Sequence, residues 1–204
     1  MGKKSRLAGG SVSSAALVLL AAVALSGCSG APEPEPEVLS ASEAGTAYLD
    51  AVCPVNEAWD RADAALERFR IAVTLGDRDV APLAEALTEV AQASGEGAKR
   101  LDPERSVWPR AASDEVEAVR ATLLSDRAQA RELAELDAAA VLDYAWDGAG
   151  ESGAAAAAAR AALELPDDPD AACAERAKQL ADERAAKSTS KSPDTNEKDT
   201  TDRD

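Results

Sequence analysis

The sequence contains no histidine. Histidine is the most frequent general acid or base in enzymes, and it is also a frequent ligand of zinc and copper. Its absence excludes Ser-His-Asp and Cys-His nucleophilic sites. The chain also lacks a glycine-rich phosphate loop and a nucleophile elbow. We therefore expect a protein that is not an enzyme and that carries no cofactor or resident metal ion.

Aromatic side chains are scarce as well. The chain has three Trp, two Tyr, one Phe and one Met, while alanine is abundant. Alanine allows helices to approach closely but buries little area per residue, so a thin core is expected. The longest apolar run, Ala15–Leu25, has eleven residues, whereas a helix that spans a bilayer needs about 20.

That apolar run lies in an N-terminal segment with the pattern of an export signal. Lys3, Lys4 and Arg6 precede the run, and Leu25-Ser26-Gly27-Cys28 ends it. The last four residues resemble the lipobox of bacterial lipoproteins. The resemblance implies removal of residues 1–27, acylation of Cys28 with chains such as palmitate, and anchoring on the extracytoplasmic face of the cell membrane. A secretory signal cleaved elsewhere and an uncleaved anchor are the alternatives.

Acidic residues outnumber basic ones strongly. The formal net charge is −16, and removal of the three positive charges within residues 1–27 would change it to −19. Such a domain repels nucleic acid phosphates and anionic lipid head groups. We therefore expect no nucleic acid partner, a membrane association that depends on the lipid at Cys28, and a basic envelope protein as a possible partner.

Two cysteines remain if Cys28 carries lipid. Thiols in an exported domain usually pair, which predicts a disulfide between Cys53 and Cys173. The alternative is a redox-active pair, but this pair lacks the close C-x-x-C spacing common in such chemistry.

The composition divides the chain into four segments. Residues 28–39 alternate proline and glutamate after the cysteine, which predicts an extended tether. Residues 40–187 have helical apolar spacing, and no alternating β-pattern of useful length occurs. Residues 188–204 contain no large apolar side chain, which predicts a disordered tail.

The spacing in residues 40–187 predicts an all-α fold, a four-helix up-and-down bundle. Helix A begins near Ser40 or Ser42, is kinked or divided at Pro54, and ends at Gly76. Helix B begins near Asp77 or Asp79, and Gly95 and Gly97 weaken its last turns. The predicted inner face of helix B consists of Val80, Leu83, Leu87, Val90, Ser94 and Ala98.

A connector at residues 102–112 follows, with Trp108 expected to cover the core. Helix C then runs from Ser113 or Asp114 to about Trp146, with Asp114 and Glu117 as a capping pair. A turn through Gly148, Gly150 and Gly153 leads to helix D. The predicted segments of helix D are residues 154–165 and 170–186, interrupted at Pro166–Pro169.

Two sets of residues invite a functional interpretation. Asp167, Asp168 and Asp170 form either a calcium site or, as we favour, a solvated turn that caps the next helix. Asp77 and Asp79 allow the same two interpretations. The aromatic residues either line a ligand cleft or serve simply as large core side chains. These residues are Tyr48, Trp59, Trp108, Tyr144 and Trp146.

The run from Tyr48 to Trp59, together with Asp-Pro-Asp-Ala-Ala before Cys173, is similar to uncharacterised actinobacterial lipoproteins. The resemblance implies no activity. We expect a non-enzymatic interaction or structural module of the cell envelope. The main alternative is an extracytoplasmic module that binds a small molecule or cation, and an enzyme with paired carboxylates is a third hypothesis.

Overall fold

The computed structural model describes residues 37–190, with side chains from 39 to 188. Most of this segment is helical, which confirms the all-α class. The helices are α1 (Ala41–Thr74), α2 (Ala81–Arg100), α3 (Ser113–Ala134), α4 (Ala138–Asp143), α5 (Ala149–Ala162) and α6 (Pro169–Ser190). Within residues 37–190, no helix combines the length and the apolar character that are needed to cross a bilayer.

Cys28, the predicted export signal and most of the predicted tether lie outside the described residues, as does the chain after residue 190. The last residues of the predicted tether belong to the folded domain. Strand β1 (Glu37–Val38) pairs in parallel with β2 (Ser106–Val107), and the Leu39 amide donates to the Val107 carbonyl at 3.1 Å. Leu39 also packs against the core. The tether therefore ends earlier than position 39.

Helix α1 begins with a capping box. Ser40 Oγ accepts from the Glu43 amide, and the Glu43 carboxylate accepts from the Ser40 amide. Of the two alternatives predicted at Pro54, the division is wrong, because the helix continues through it. The kink stays a prediction. Pro54 itself is exposed, whereas Cys53 and Val55 beside it are buried. Packing on both sides of the proline outweighs the missing backbone hydrogen bond.

The predicted end of this helix at Gly76 is confirmed. Gly76 adopts a φ of 89°, in the left-handed region that glycine tolerates. Its amide donates to the Val73 carbonyl at 3.0 Å, and the Asp77 amide donates to the Ala72 carbonyl at 3.0 Å. This pair of bonds is the Schellman motif, which satisfies the last carbonyls of the helix.

Helix α2 starts at Ala81, slightly later than predicted, and its predicted inner face is buried except for the half-buried Val80. Gly97, which was expected to weaken the last turns of this helix, also has a packing role. A Cβ at this position would lie 2.9 Å from the Ala51 carbonyl oxygen and 3.1 Å from Leu123 Cδ1. Gly97 therefore allows α2 to pack closely against both α1 and α3.

The predicted helix C is shorter than expected. It ends at Ala134, and Asp137 then caps the separate helix α4 by accepting from the amides of Ala139 and Ala140 at 3.0 Å. An aspartate side chain that accepts hydrogen bonds from the amides two and three residues further along favours the start of a new helix. It disfavours continuation of the preceding helix. The predicted Asp114–Glu117 cap is also wrong, since no side chain caps α3.

The last predicted helix is divided as expected, between Ala162 and Pro169. Its first half starts at Ala149 and passes through Gly150 and Gly153, which were expected to form a turn. Of the three glycines only Gly148 precedes the helix, with a φ of 80°. Helix α6 continues to Ser190, three residues into the segment that was predicted to be disordered.

Four helix pairs make the main contacts: α1 with α2, α2 with α3, α3 with α5, and α1 with α6. Two groups of buried side chains lie between them. The first contains Tyr48, Leu101 and Trp108, which is buried as predicted, and the second contains Phe69 and Val90. The second group lies beside the candidate site.

Candidate functional site

A disulfide between Cys53 and Cys173 joins α1 to α6, as predicted from the cysteine count. The two Cα atoms are 5.5 Å apart. Asn56 lies one turn further along α1, and its Nδ2 is 3.9 Å from Cys173 Sγ. The crosslink therefore holds the wall of the bundle that α1 and α6 form together.

An ion pair that the sequence did not reveal reinforces the same wall. The Arg176 guanidinium donates to both carboxylate oxygens of Asp50, at 2.7 and 3.0 Å, and also to Glu183 at 3.3 Å. The Arg176 side chain is only 8% exposed. Its position on α6 one turn after Cys173 is the only sequence signal that it faces α1.

Aspartate side chains accept hydrogen bonds from backbone amides in both turns. Asp168 accepts from the amides of Asp170 and Ala171, at 2.9 and 3.2 Å, at the start of α6. Asp79 accepts from the Ala81 amide at 3.0 Å, at the start of α2. Within residues 37–190, no group of three or more acidic or cysteine side chains is arranged to hold a metal ion. Capping of the next helix, the favoured interpretation, is confirmed at Asp168. It is not confirmed at α2, whose N-cap is Val80 and has no side-chain capping bond.

Three of the aromatic residues predicted as cleft candidates come together. Trp59 projects from α1, whereas Tyr144 and Trp146 follow the short helix α4. The Trp59 and Trp146 rings have centroids 4.7 Å apart and are nearly perpendicular, at 86°. Tyr144 meets Trp146 at 6.2 Å and 62°. All three are half-buried, whereas Tyr48 and Trp108 are buried in the other group of core residues.

These rings line a cavity of about 450 Å³, which we call the aromatic cleft. A neighbouring cavity of about 360 Å³ shares Trp59, Asp126 and Ser152 with it and extends towards Cys173. Both volumes fall within the range of small-molecule sites. The other side chains of the aromatic cleft are mainly aliphatic: Ala62, Leu66, Leu83, Leu87, Leu133, Val141 and Leu142.

Asp126 of α3 lies where the two cavities meet, and it is only 6% exposed. Burial raises the pKa of its carboxyl above the ordinary value, and a hydrogen bond with Trp146 acts in the opposite direction. Within the described residues, no lysine or arginine forms an ion pair with it. Buried carboxylates usually have such a partner.

Sequence reasoning missed Asp126, although the signal was present. The buried positions of α3 are Val116, Val119, Leu123, Asp126 and Ala130. Their spacing alternates between three and four residues, so Asp126 falls on the apolar stripe itself. A carboxylate on such a stripe is unusual enough to indicate a function.

The neighbouring cavity contains one basic side chain. Arg160 of α5 lies beside Tyr48, and its Nε has no hydrogen-bond partner within the described residues. Burial raises the pKa of Tyr48 to about 12, although the Arg160 charge opposes the shift. The Tyr48 hydroxyl therefore stays neutral and donates to the Ala156 carbonyl at 3.4 Å.

No protein-family model, curated protein sequence or solved structure matches the chain. The function is therefore inferred from the residues of the cleft and from the sequence features that predict an anchor.

Proposed function

We propose that the protein is a lipid-anchored binding module on the extracytoplasmic face of the cell membrane, which holds a small organic ligand in the aromatic cleft. The lipobox-like run that ends at Cys28 supports the anchor. The disulfide supports an oxidising compartment, because such crosslinks persist outside the reducing cytoplasm.

The distribution of aromatic side chains carries the proposal for the ligand. The chain has six aromatic residues, and three of them line the aromatic cleft. Large side chains stabilise a thin alanine-rich core most when they are fully buried. Trp59, Tyr144 and Trp146 are instead half-buried at a cavity. Their position is better explained by contact with a ligand than by stabilisation of the core.

The carboxylates of the aromatic cleft fit a binding function better than a catalytic one. A paired-carboxylate enzyme needs two acidic groups that flank a reacting bond. Asp126 is the one buried carboxylate within residues 37–190, and Asp63 at the same cavity is exposed. A single desolvated carboxylate without a second buried acid is suited to holding a ligand.

We further propose that the domain is organised as the four-helix up-and-down bundle expected from the sequence, with α5 and α6 together as the fourth member. The packing pairs support this arrangement, since α1 contacts α2 and α6 while α3 contacts α2 and α5. The aromatic cleft then opens between the α1 and α3 layers, where α4 interrupts the regular packing.

The anchor is tested by cell fractionation and intact-mass analysis of the membrane-extracted protein. The wild-type protein is expected in the membrane fraction with an acylated Cys28 at its N-terminus. The Cys28→Ser variant is expected in the soluble fraction or with its signal retained. An unmodified N-terminus at another residue would contradict the anchor.

Ligand binding is tested by a thermal-shift screen of small organic compounds with different charges. A ligand that binds only the folded protein raises the unfolding midpoint by mass action. Compounds that stabilise the wild type should fail to stabilise Trp146→Leu, yet should still stabilise Leu75→Ala, an exposed apolar truncation outside the cleft. A screen in which no compound distinguishes Trp146→Leu from the wild type would refute the cleft as the binding site.

The net charge of −16 favours a second function, the interaction with a basic envelope protein. Charge complementarity mainly accelerates encounter and selects the partner, and salt screens it. Crosslinking and pull-down from membranes should recover a basic protein at low salt and much less of it at high salt. Recovery of no basic protein under either condition would count against this role.

A further inference from the structure

The side chains of the aromatic cleft indicate the chemical class of its ligand. We propose that this ligand is an organic ammonium ion with an apolar body, whose charge is held by Asp126 and the surrounding aromatic rings. This inference rests on the proposed binding function and specifies the substance that is bound.

The first argument is the unpaired buried carboxylate. Asp126 is more than nine-tenths buried, and the Trp146 side chain provides the hydrogen bond that opposes the effect of burial. One indole N–H satisfies only part of a carboxylate, which can accept about four hydrogen bonds. An ammonium ion in either adjoining cavity would supply both further donors and the opposite charge, and a charge-assisted hydrogen bond is stronger than a neutral one.

The second argument is the arrangement of the rings around this carboxylate. Trp59 and Trp146 meet almost at right angles, and Tyr144 is inclined by 62° to Trp146. An edge-to-face contact covers a face of one ring only, whereas parallel stacking covers a face of each, so more ring face is left for a cation. The negative faces of tryptophan and tyrosine attract ammonium groups, most strongly where water is excluded.

The third argument is the apolar remainder of the cleft. Its aliphatic wall comes from α1, α2, α3 and α4 and includes Leu66, Leu83, Leu87 and Leu133. A bare metal cation would gain nothing from this wall, whereas the hydrocarbon part of an amine would leave water there. The volume of about 450 Å³ admits such a body as well as its charged group.

The other charged groups around the two cavities leave the balance negative. Carboxylates come from Asp60 and Asp63 on α1 and from Asp170 on α6, in addition to Asp126. Two guanidinium groups oppose these four carboxylates. Arg70 is paired with Glu67 at 2.7 Å, and Arg160 lies beside Tyr48. The local charge thus favours a cation over an anion.

Three probes with one hydrophobic body test the assignment: 2-phenylethylammonium, neutral 2-phenylethanol and anionic phenylacetate. The full chain, purified in an alkyl maltoside detergent, is titrated with each probe by calorimetry at neutral pH. The ammonium probe is expected to bind at least about tenfold more tightly than the alcohol, because it adds a charge-assisted contact. Phenylacetate is expected to bind more weakly than either.

Asp126→Asn separates the role of the charge from that of the cavity shape. The variant should lose at least about tenfold in affinity for the ammonium probe and less than about twofold for the alcohol. Asp182→Asn removes one negative charge from an exposed position on α6 and should leave both affinities unchanged. If Asp126→Asn does not fold, the relative affinities of the wild type for the three probes still test the ammonium assignment.

Equal or tighter binding of the alcohol or the anion would overturn the ammonium assignment and leave the binding function standing. Equal losses for Asp126→Asn and Asp182→Asn would also overturn it, since a general field effect would then explain the preference. Absence of saturable binding by the ammonium probe overturns the assignment too. The binding function itself fails only if the wider screen finds no compound that depends on the cleft.

Discussion

Removal of the Cys53–Cys173 disulfide is expected to destabilise the domain by several kcal/mol without changing its fold. The crosslink closes a loop with a sequence separation of 120 residues. In the chain-entropy model, a crosslink that closes a loop of this length lowers the entropy of the unfolded chain. This effect stabilises the folded state by about 5 kcal/mol at 25 °C. Measured effects are usually about 2–4 kcal/mol. The corresponding fall in the unfolding midpoint is roughly 6–12 °C for a loss of about 3 kcal/mol.

The native contacts indicate why the fold should survive this change. Arg176 of α6 still binds Asp50 of α1 through two hydrogen bonds, and Ala172 remains buried against the first core group. The wall formed by α1 and α6 is therefore expected to keep its structure. The loss of stability should come mainly from the greater freedom of the unfolded chain.

The assay is urea unfolding of the double variant Cys53→Ala/Cys173→Ala, followed by circular dichroism. Wild-type protein in excess reductant is the matched control and should unfold at the same urea concentration as the variant. Peptide mapping by mass spectrometry establishes that the untreated protein is crosslinked. A crosslinked wild type whose free energy of unfolding lies within about 0.5 kcal/mol of the variant would refute the reasoning.

Three further predictions concern single residues. Burial raises the pKa of Asp126 in the folded state, so this group favours folding at low pH and opposes folding once the pH rises through the raised pKa. Asp126→Asn should therefore raise the thermal unfolding midpoint at pH 7, and this increase over the wild type should disappear in acid. A variant midpoint below that of the wild type at pH 7 would contradict the prediction. Gly97→Ala should cost about 1–3 kcal/mol in urea unfolding, because its Cβ would meet the backbone of α1 at 2.9 Å. Gly150→Ala is the control, since its Cβ meets nothing within 4 Å, and it should be neutral or stabilising by up to about 1 kcal/mol. Arg176→Met should lower the free energy of unfolding by about 1–3 kcal/mol, because it leaves Asp50 without its charged donor. An unchanged urea unfolding curve would show that the ion pair contributes nothing to stability.

Local backbone chemistry explains most of the successful sequence predictions. Gly76 ends α1 because only glycine readily adopts its positive φ. The break at Pro166–Pro169 follows from proline geometry. The cysteine pairing follows from counting the two thiols that remain if Cys28 carries lipid, as the sequence predicts. Each of these signals acts within a few residues or through a single possible pairing.

The errors occurred where tertiary contacts compete with local preference. Pro54 was expected to kink or divide a helix, and the division does not occur, because buried neighbours on both sides keep the helix continuous. Gly97 was expected only to weaken a helix, yet its missing side chain allows α2 to pack closely against α1. The end of α3 at Ala134 was missed, because the apolar spacing continues beyond it although Asp137 caps a new helix. Propensity is a weak predictor at such positions.

The sequence by itself determined the helical class, the disulfide partners, the ends set by glycine and proline, and the acidic character of the surface. Only the tertiary structure decided that Trp59, Asp126 and Trp146 meet at one cavity. They lie on separate elements of the chain, so no local pattern relates them. Their proximity depends on how α1, α3 and the segment after α4 pack, and packing is a property of the whole domain.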